Sequence, residues 1–83
     1  MASYDAVITK DAEKELRTVP FPFRRQINIG LNKLKKDPRP KLCERIDEGE
    51  NYRLRISGWR VVYVIDDEAS TITIVAIMKD ERV

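Results

Sequence analysis

At 83 residues the chain is sized for one domain with a single modest core. A composition of 42% hydrophobic and 36% charged residues fits a globular fold, while one cysteine and no histidine exclude an internal disulfide, a thiol–histidine nucleophile pair and an ordinary zinc site. The net charge of +2 is unevenly spread: residues 33–60 carry nine basic and five acidic groups and residues 61–83 carry two and five, so any polyanion is drawn to the middle third.

Taken in chain order, "SYDAVIT" alternates like a first strand, with Tyr4, Ala6 and Ile8 on one face. Thr9 is placed to cap the helix "KDAEKELRT", whose early Asp11 and Glu13 suit the positive end of the helix dipole, and Pro20 stops it. "PFPFRRQINIGLNKLKKDP" predicts a second helix. Phe23, Ile27, Leu31 and Leu34 form its core stripe, and Asp37-Pro38 ends it. Gly30 costs about 1 kcal/mol against alanine within a helix, which points to a close neighbour. Leu42–Ile46 offers a short strand in which Cys43 reads as a small apolar filler. Residues 48–51 read as a turn.

Strands over about 51–57 and 59–66 follow, split by Ser57-Gly58, and "TITIVAIM" is the last strand, with Ile72, Ile74 and Ala76 on one face. Strand, two helices, then three or four strands describes an α+β fold, one domain over residues 1–83, with both helices on one face of an antiparallel sheet. No apolar run reaches the roughly 18 residues of a membrane helix, and "MASYDAVITKD" lacks the pattern of a secretory leader. A cytoplasmic protein without membrane contact is expected.

The stretch "NYRLRISGWRVVYV" sets three arginines among apolar residues. If Ser57-Gly58 is a two-residue hairpin turn, Ile56 faces Trp59, Arg55 faces Arg60, Leu54 faces Val61 and Arg53 faces Val62. Leu54, Ile56, Trp59, Val61 and Tyr63 then share the helix-covered face, and Arg53, Arg55 and Arg60 the other. Like charges directly opposite cost up to about 1 kcal/mol, and no carboxylate lies within the hairpin's central pairs. Such a cluster suits a phosphate backbone. A solvated face, or acids brought in from elsewhere, is the alternative account. Lys33, Lys35, Lys36, Arg39, Lys41 and Arg45 lie just upstream, where they could flank the same groove.

"YDAVITKDAEKELRTVP", "LKKDPRP" and above all "YRLRISGWRVVYVIDDE" resemble the RelE/ParE toxin superfamily over nearly the whole chain, nearer its RelE side. The resemblance implies the toxin of a type II toxin–antitoxin pair: a ribosome-dependent endoribonuclease that cuts messenger RNA in the ribosomal A site by 2′-hydroxyl attack on the adjacent phosphate. It implies a cognate antitoxin partner and contact with messenger and ribosomal RNA. It implies operator DNA only through the toxin–antitoxin complex, and calls for no cofactor or metal. By likeness Arg53 and Arg55 match the basic pair of the active-site strand and Arg60 the transition-state arginine. Lys79 takes the position of a His or Lys in relatives, and Arg82 that of a second phosphate anchor. Lys33, Lys36, Arg39, Lys41 and Arg45 are the expected RNA and ribosome contacts.

The ending "AIMKDERV" departs from relatives that close on a base-stacking tyrosine, and arginine, which stays protonated, is a poor base. Two other readings follow: a ParE-like gyrase poison without enzymatic activity, or a degenerate toxin that keeps only antitoxin binding and operon regulation.

Overall fold

The computed structural model describes residues 3–80. The elements are β1 (Asp5–Ile8), α1 (Lys10–Thr18), α2 (Phe21–Lys36), β2 (Glu44–Arg45), β3 (Asn51–Ile56), β4 (Trp59–Asp66) and β5 (Thr71–Lys79). Thr9 caps α1, its hydroxyl accepting the Ala12 N–H at 3.1 Å, and Val19 closes it just before Pro20. In α2, Pro22 sits in the first turn, where a missing N–H costs nothing.

The sheet is larger and more mixed than the sequence suggested. Five strands run in the order β1-β5-β4-β3-β2, and β1 pairs parallel to β5, Asp5 opposite Thr71 through Ile8 opposite Ile74. The remaining pairs are antiparallel. The intervening helices permit the parallel pairing, because a parallel neighbour requires a long crossover. The expected short strand at Leu42–Ile46 contracts to Glu44–Arg45, the edge of the sheet.

Both helices cover one face. Ala12, Val19, Ile27 and Leu34 from the helical segment meet Val61, Tyr63, Ile65, Ile72, Ile74 and Ile77 from the sheet in one core. Tyr63 stacks on Tyr52 with ring centroids 5.8 Å apart, and its hydroxyl donates to the Pro38 carbonyl at 2.8 Å. Gly30 explains itself here: a Cβ would sit 2.5 Å from Ile56 Cδ1, so the glycine lets α2 press onto the tip of β3.

Two expectations about the core need correction. Phe23 is 42% exposed instead of completing the α2 stripe, because it lies in the first turn, beyond the area the sheet covers. In β5 a bulge intervenes: Val62 faces Ala76 but Tyr63 faces Ile74, so Val75 is the extra residue. The strand is re-phased, and Ile77, 2% exposed, joins Ile72 and Ile74 on the core face while Ala76 turns away. Glu15 of α1 accepts the Ile77 N–H at 3.0 Å, pinning the strand just past the bulge.

Candidate functional site

The β3–β4 hairpin has the register its sequence predicts: Ile56 opposite Trp59, Arg55 opposite Arg60, Leu54 opposite Val61, Arg53 opposite Val62. Ser57 (φ 51°) and Gly58 (φ 86°) both take positive φ, the pattern of a type I′ turn, whose twist matches the flanking strands. A two-residue loop allows only one pairing, so the side-chain alternation of both strands is set. Leu54, Ile56, Val61 and Tyr63 go to the helices. Arg53, Arg55 and Arg60 emerge together on the open face, along with Val62 and, across β5, Ala76 and Met78.

The three guanidinium groups are not equivalent. Arg55 is held twice: its Nη1 donates to Glu44 Oε1 at 2.7 Å, and its Nε lies 2.8 Å from Asp80 Oδ2. The second contact is an ion pair without hydrogen-bond direction, since the Arg55 Nε–H still has no acceptor. Arg53 is held loosely, its Nη2 3.5 Å from Glu44 Oε2. Arg60 makes no ion pair among the described residues. The Nε atoms of all three are buried and unmatched, an arrangement that costs stability unless an incoming acceptor meets it.

Backbone pairing explains how the acids arrive. Glu44 sits directly opposite Arg53 in the β2–β3 ladder, so its carboxylate shares the arginine face. The Asp80 N–H donates to the Gly58 carbonyl at 2.9 Å, which carries its carboxylate to the hairpin tip beside Arg55. Of the alternatives the sequence left open, acids brought in from elsewhere apply to Arg53 and Arg55: their counterions come from the edge strand and from the end of β5. Glu44 was missed because β2 is two residues long. The one signal available was the alternation of Leu42–Ile46, once that segment is paired with β3.

The other expected site residues divide. Arg39 belongs to a structural knot, not to the open face. Its guanidinium donates to Tyr52 Oη at 2.9 Å, Glu50 Oε2 at 2.9 Å and Asp67 Oδ2 at 2.8 Å, and lies 5.4 Å from the Tyr52 ring centre. The Tyr4 hydroxyl donates to Asp67 at 2.7 Å. Asp67 is held below its ordinary pKa by Arg39 and then Tyr4, and Glu50 by Tyr52 and then Arg39. Arg39 itself is pushed well above the usual arginine range, first by Asp67.

Arg45 is likewise occupied, donating to the carbonyls of Gly49 (2.8 Å) and Glu48 (3.1 Å) and closing the β2–β3 loop. Lys33 and Lys41 line a cleft of about 440 Å³ with Gly30, Leu34 and Leu54, on the helix side of the sheet. Lys36 is exposed at the end of α2. These lysines do not flank the arginine face, because α2 packs on the opposite side of the sheet. Lys79 pairs with Trp59, which puts it on the helix side and away from Arg60. Arg82 lies outside the described residues. No helix among them is long and apolar enough to cross a membrane.

Solved structures share this architecture. The isolated RelE toxin of E. coli superposes with a TM-score of 0.86 at 25% identity, over 98% of this chain and 88% of that one. A chain of the intact E. coli RelBE toxin–antitoxin complex gives 0.82 at 28% identity, covering 96% of this chain and all of its own length (100%). The archaeal RelE–RelB complex of Pyrococcus horikoshii matches in fold, with a TM-score of 0.84 at 22% identity over 98% and 99%. No curated protein sequence matches the chain. The sequence profile of the ParE toxin of type II toxin–antitoxin systems matches residues 6–83. With nearly its full length accounted for by that profile, the chain belongs to the ParE toxin family, within the RelE/ParE superfamily.

Proposed function

We propose that this chain acts as a RelE-like toxin that cleaves messenger RNA in the ribosomal A site by attack of a 2′-hydroxyl on the adjacent phosphate, halting translation. The observation that carries this reading is Arg60, directly opposite Arg55 on the open sheet face and without an ion pair among the described residues. In-line attack puts extra negative charge on the non-bridging phosphate oxygens, and a positioned guanidinium stabilises that charge more than it stabilises the ground state. Arg60 is the principal phosphate ligand. Arg53 assists it, and Arg55, charge-paired with two carboxylates, contributes field and position. By family likeness Arg82 adds a second anchor, whereas Lys79, across the sheet, takes no part. Lys33, Lys36 and Lys41 meet ribosomal RNA at a distance from the chemistry.

The toxin–antitoxin complex known for E. coli RelBE supports a cognate antitoxin as partner; engagement of operator DNA through such a complex belongs to the same proposal. Induced expression in a bacterium, followed by mapping of messenger 5′ ends, tests the reading. New ends inside translated regions are expected with the native chain and absent with Arg60→Ala.

A second reading, a non-enzymatic gyrase poison, is favoured by the ParE family profile and by the neutralisation of Arg55. It predicts DNA breaks with messengers intact, so the same cultures decide between the two.

A further inference from the structure

We propose that Met78, with Val62 and Ala76, is the platform on which one nucleobase of the bound RNA lies; this rests on the ribonuclease reading above. The open face of the sheet is divided. Arg53, Arg55 and Arg60 occupy β3 and the near end of β4, and beside them on β4 and β5 stand the apolar Val62, Ala76 and Met78. Two rows of paired residues cross the division. In the first, Arg55 pairs with Arg60 and Arg60 with Met78; in the second, Arg53 pairs with Val62 and Val62 with Ala76. Each row runs from cation to hydrocarbon. A nucleotide is divided the same way, into a charged phosphate and a flat base with two apolar faces.

Met78 is 37% exposed, and an apolar side chain at the surface is ordinary in itself. Its position is not. It stands directly across the ladder from Arg60, whose buried Nε–H has no acceptor. Neighbouring strands lie about 4.8 Å apart and alternate residues of one strand about 7 Å apart, so Val62, Ala76 and Met78 mark out an area close to that of one nucleobase. Val62 and Ala76 are short and form a low floor. Met78 is long, unbranched and polarizable, suited to lay its thioether against a π face.

Proteins hold single-stranded RNA by pairing a cationic track with surfaces on which the bases lie. A phosphate held by Arg60 and Arg53 sits at the border of the two halves, and the base one ribose away comes down on the apolar one. Contact of this kind has no hydrogen-bond code, and dispersion grows with the area covered. At the one position that meets Met78, a purine is therefore cut faster than a pyrimidine.

The test is single-turnover cleavage on ribosomes programmed with messages that carry adenine, uracil or an abasic ribose at each position of the A-site codon. The native chain is compared with Met78→Ala and Met78→Leu, and thermal melts are run in parallel. At one codon position Met78→Ala is expected to cut the adenine message about 2- to 10-fold more slowly than the native chain does. It should lose nothing further on the abasic message and keep its melting temperature. Met78→Leu, of similar volume, should recover most of the rate. The platform is overturned, with the ribonuclease reading intact, if the native chain cuts and Met78→Ala either matches it on every message or loses the same factor with and without the base. The latter marks a residue that only seats Arg60. A native chain that does not cut removes both.

Discussion

Two groups of arginines at opposite ends of the same hairpin have opposite surroundings. Arg39, at the far end, is given everything a guanidinium can use: a tyrosine hydroxyl, two carboxylates and an aromatic face. At the turn, Arg53, Arg55 and Arg60 each retain a buried Nε–H with no acceptor, and Arg55 and Arg60 stand directly opposite one another. The first arrangement stabilises the folded chain, tying the segment before β1, the loop after α2, the strand β3 and the β4–β5 turn together. The second weakens it and makes sense only when an anion completes it. In a chain of this size, with little stability to spare, tolerated mismatch is the stronger indicator of function.

The largest expected effect breaks the comparison at its functional end. Arg60→Ala should reduce ribosome-dependent cleavage by about 10²- to 10³-fold, the usual cost of removing one donor to developing charge, without lowering the melting temperature. Single-turnover kinetics and a thermal melt check both halves. Purified protein should leave naked RNA nearly uncut; efficient cutting without ribosomes would contradict the A-site mechanism.

Next is the support beneath the hairpin. Gly30→Val pushes a branched side chain against Ile56, and valine gains little over glycine in helix propensity. A loss of about 1–3 kcal/mol is expected from overpacking, measured by urea denaturation. Cleavage per folded molecule should change less than stability.

The smallest effects sharpen the structural end. Arg39→Met should cost about 1 kcal/mol, modest because the ion pairs are partly exposed. Its pH signature is more specific. Asp67 and Glu50 have native pKa values below their unfolded ones, so their contribution is complete above the ordinary carboxylate range and is lost as pH falls through their lowered native values. The native chain should therefore lose stability on acidification below about pH 4 more steeply than Arg39→Met does, which paired urea titrations will show.

What the sequence revealed follows the range of the interactions involved. The hairpin register was legible because a two-residue turn and strict alternation leave one solution, and the α1 cap because Thr9 acts on a residue three positions away. Arg39 was read as an RNA or ribosome contact because its partners, Glu50, Tyr52 and Asp67, come from distant points of the chain that only the folded sheet brings together. The bulge at Val75 left no trace in "TITIVAIM", where either phase buries apolar side chains. Glu44 escaped notice for a related reason: two residues of edge strand carry too little pattern to reveal what they pair with. Phe23 fits the helical stripe by spacing but lies past the edge of the sheet, and periodicity carries no information on how far a partner surface extends.

The most direct measurement sets Arg60→Ala beside Arg39→Ala, scoring each for messenger cleavage per folded molecule and for melting temperature. The account predicts a crossed result: Arg60→Ala folds as well as the native chain but does not cut, and Arg39→Ala melts earlier but cuts normally where folded. If both variants lost stability equally, or if Arg60→Ala cut as the native chain does, the distinction between a saturated arginine and a waiting one would be contradicted.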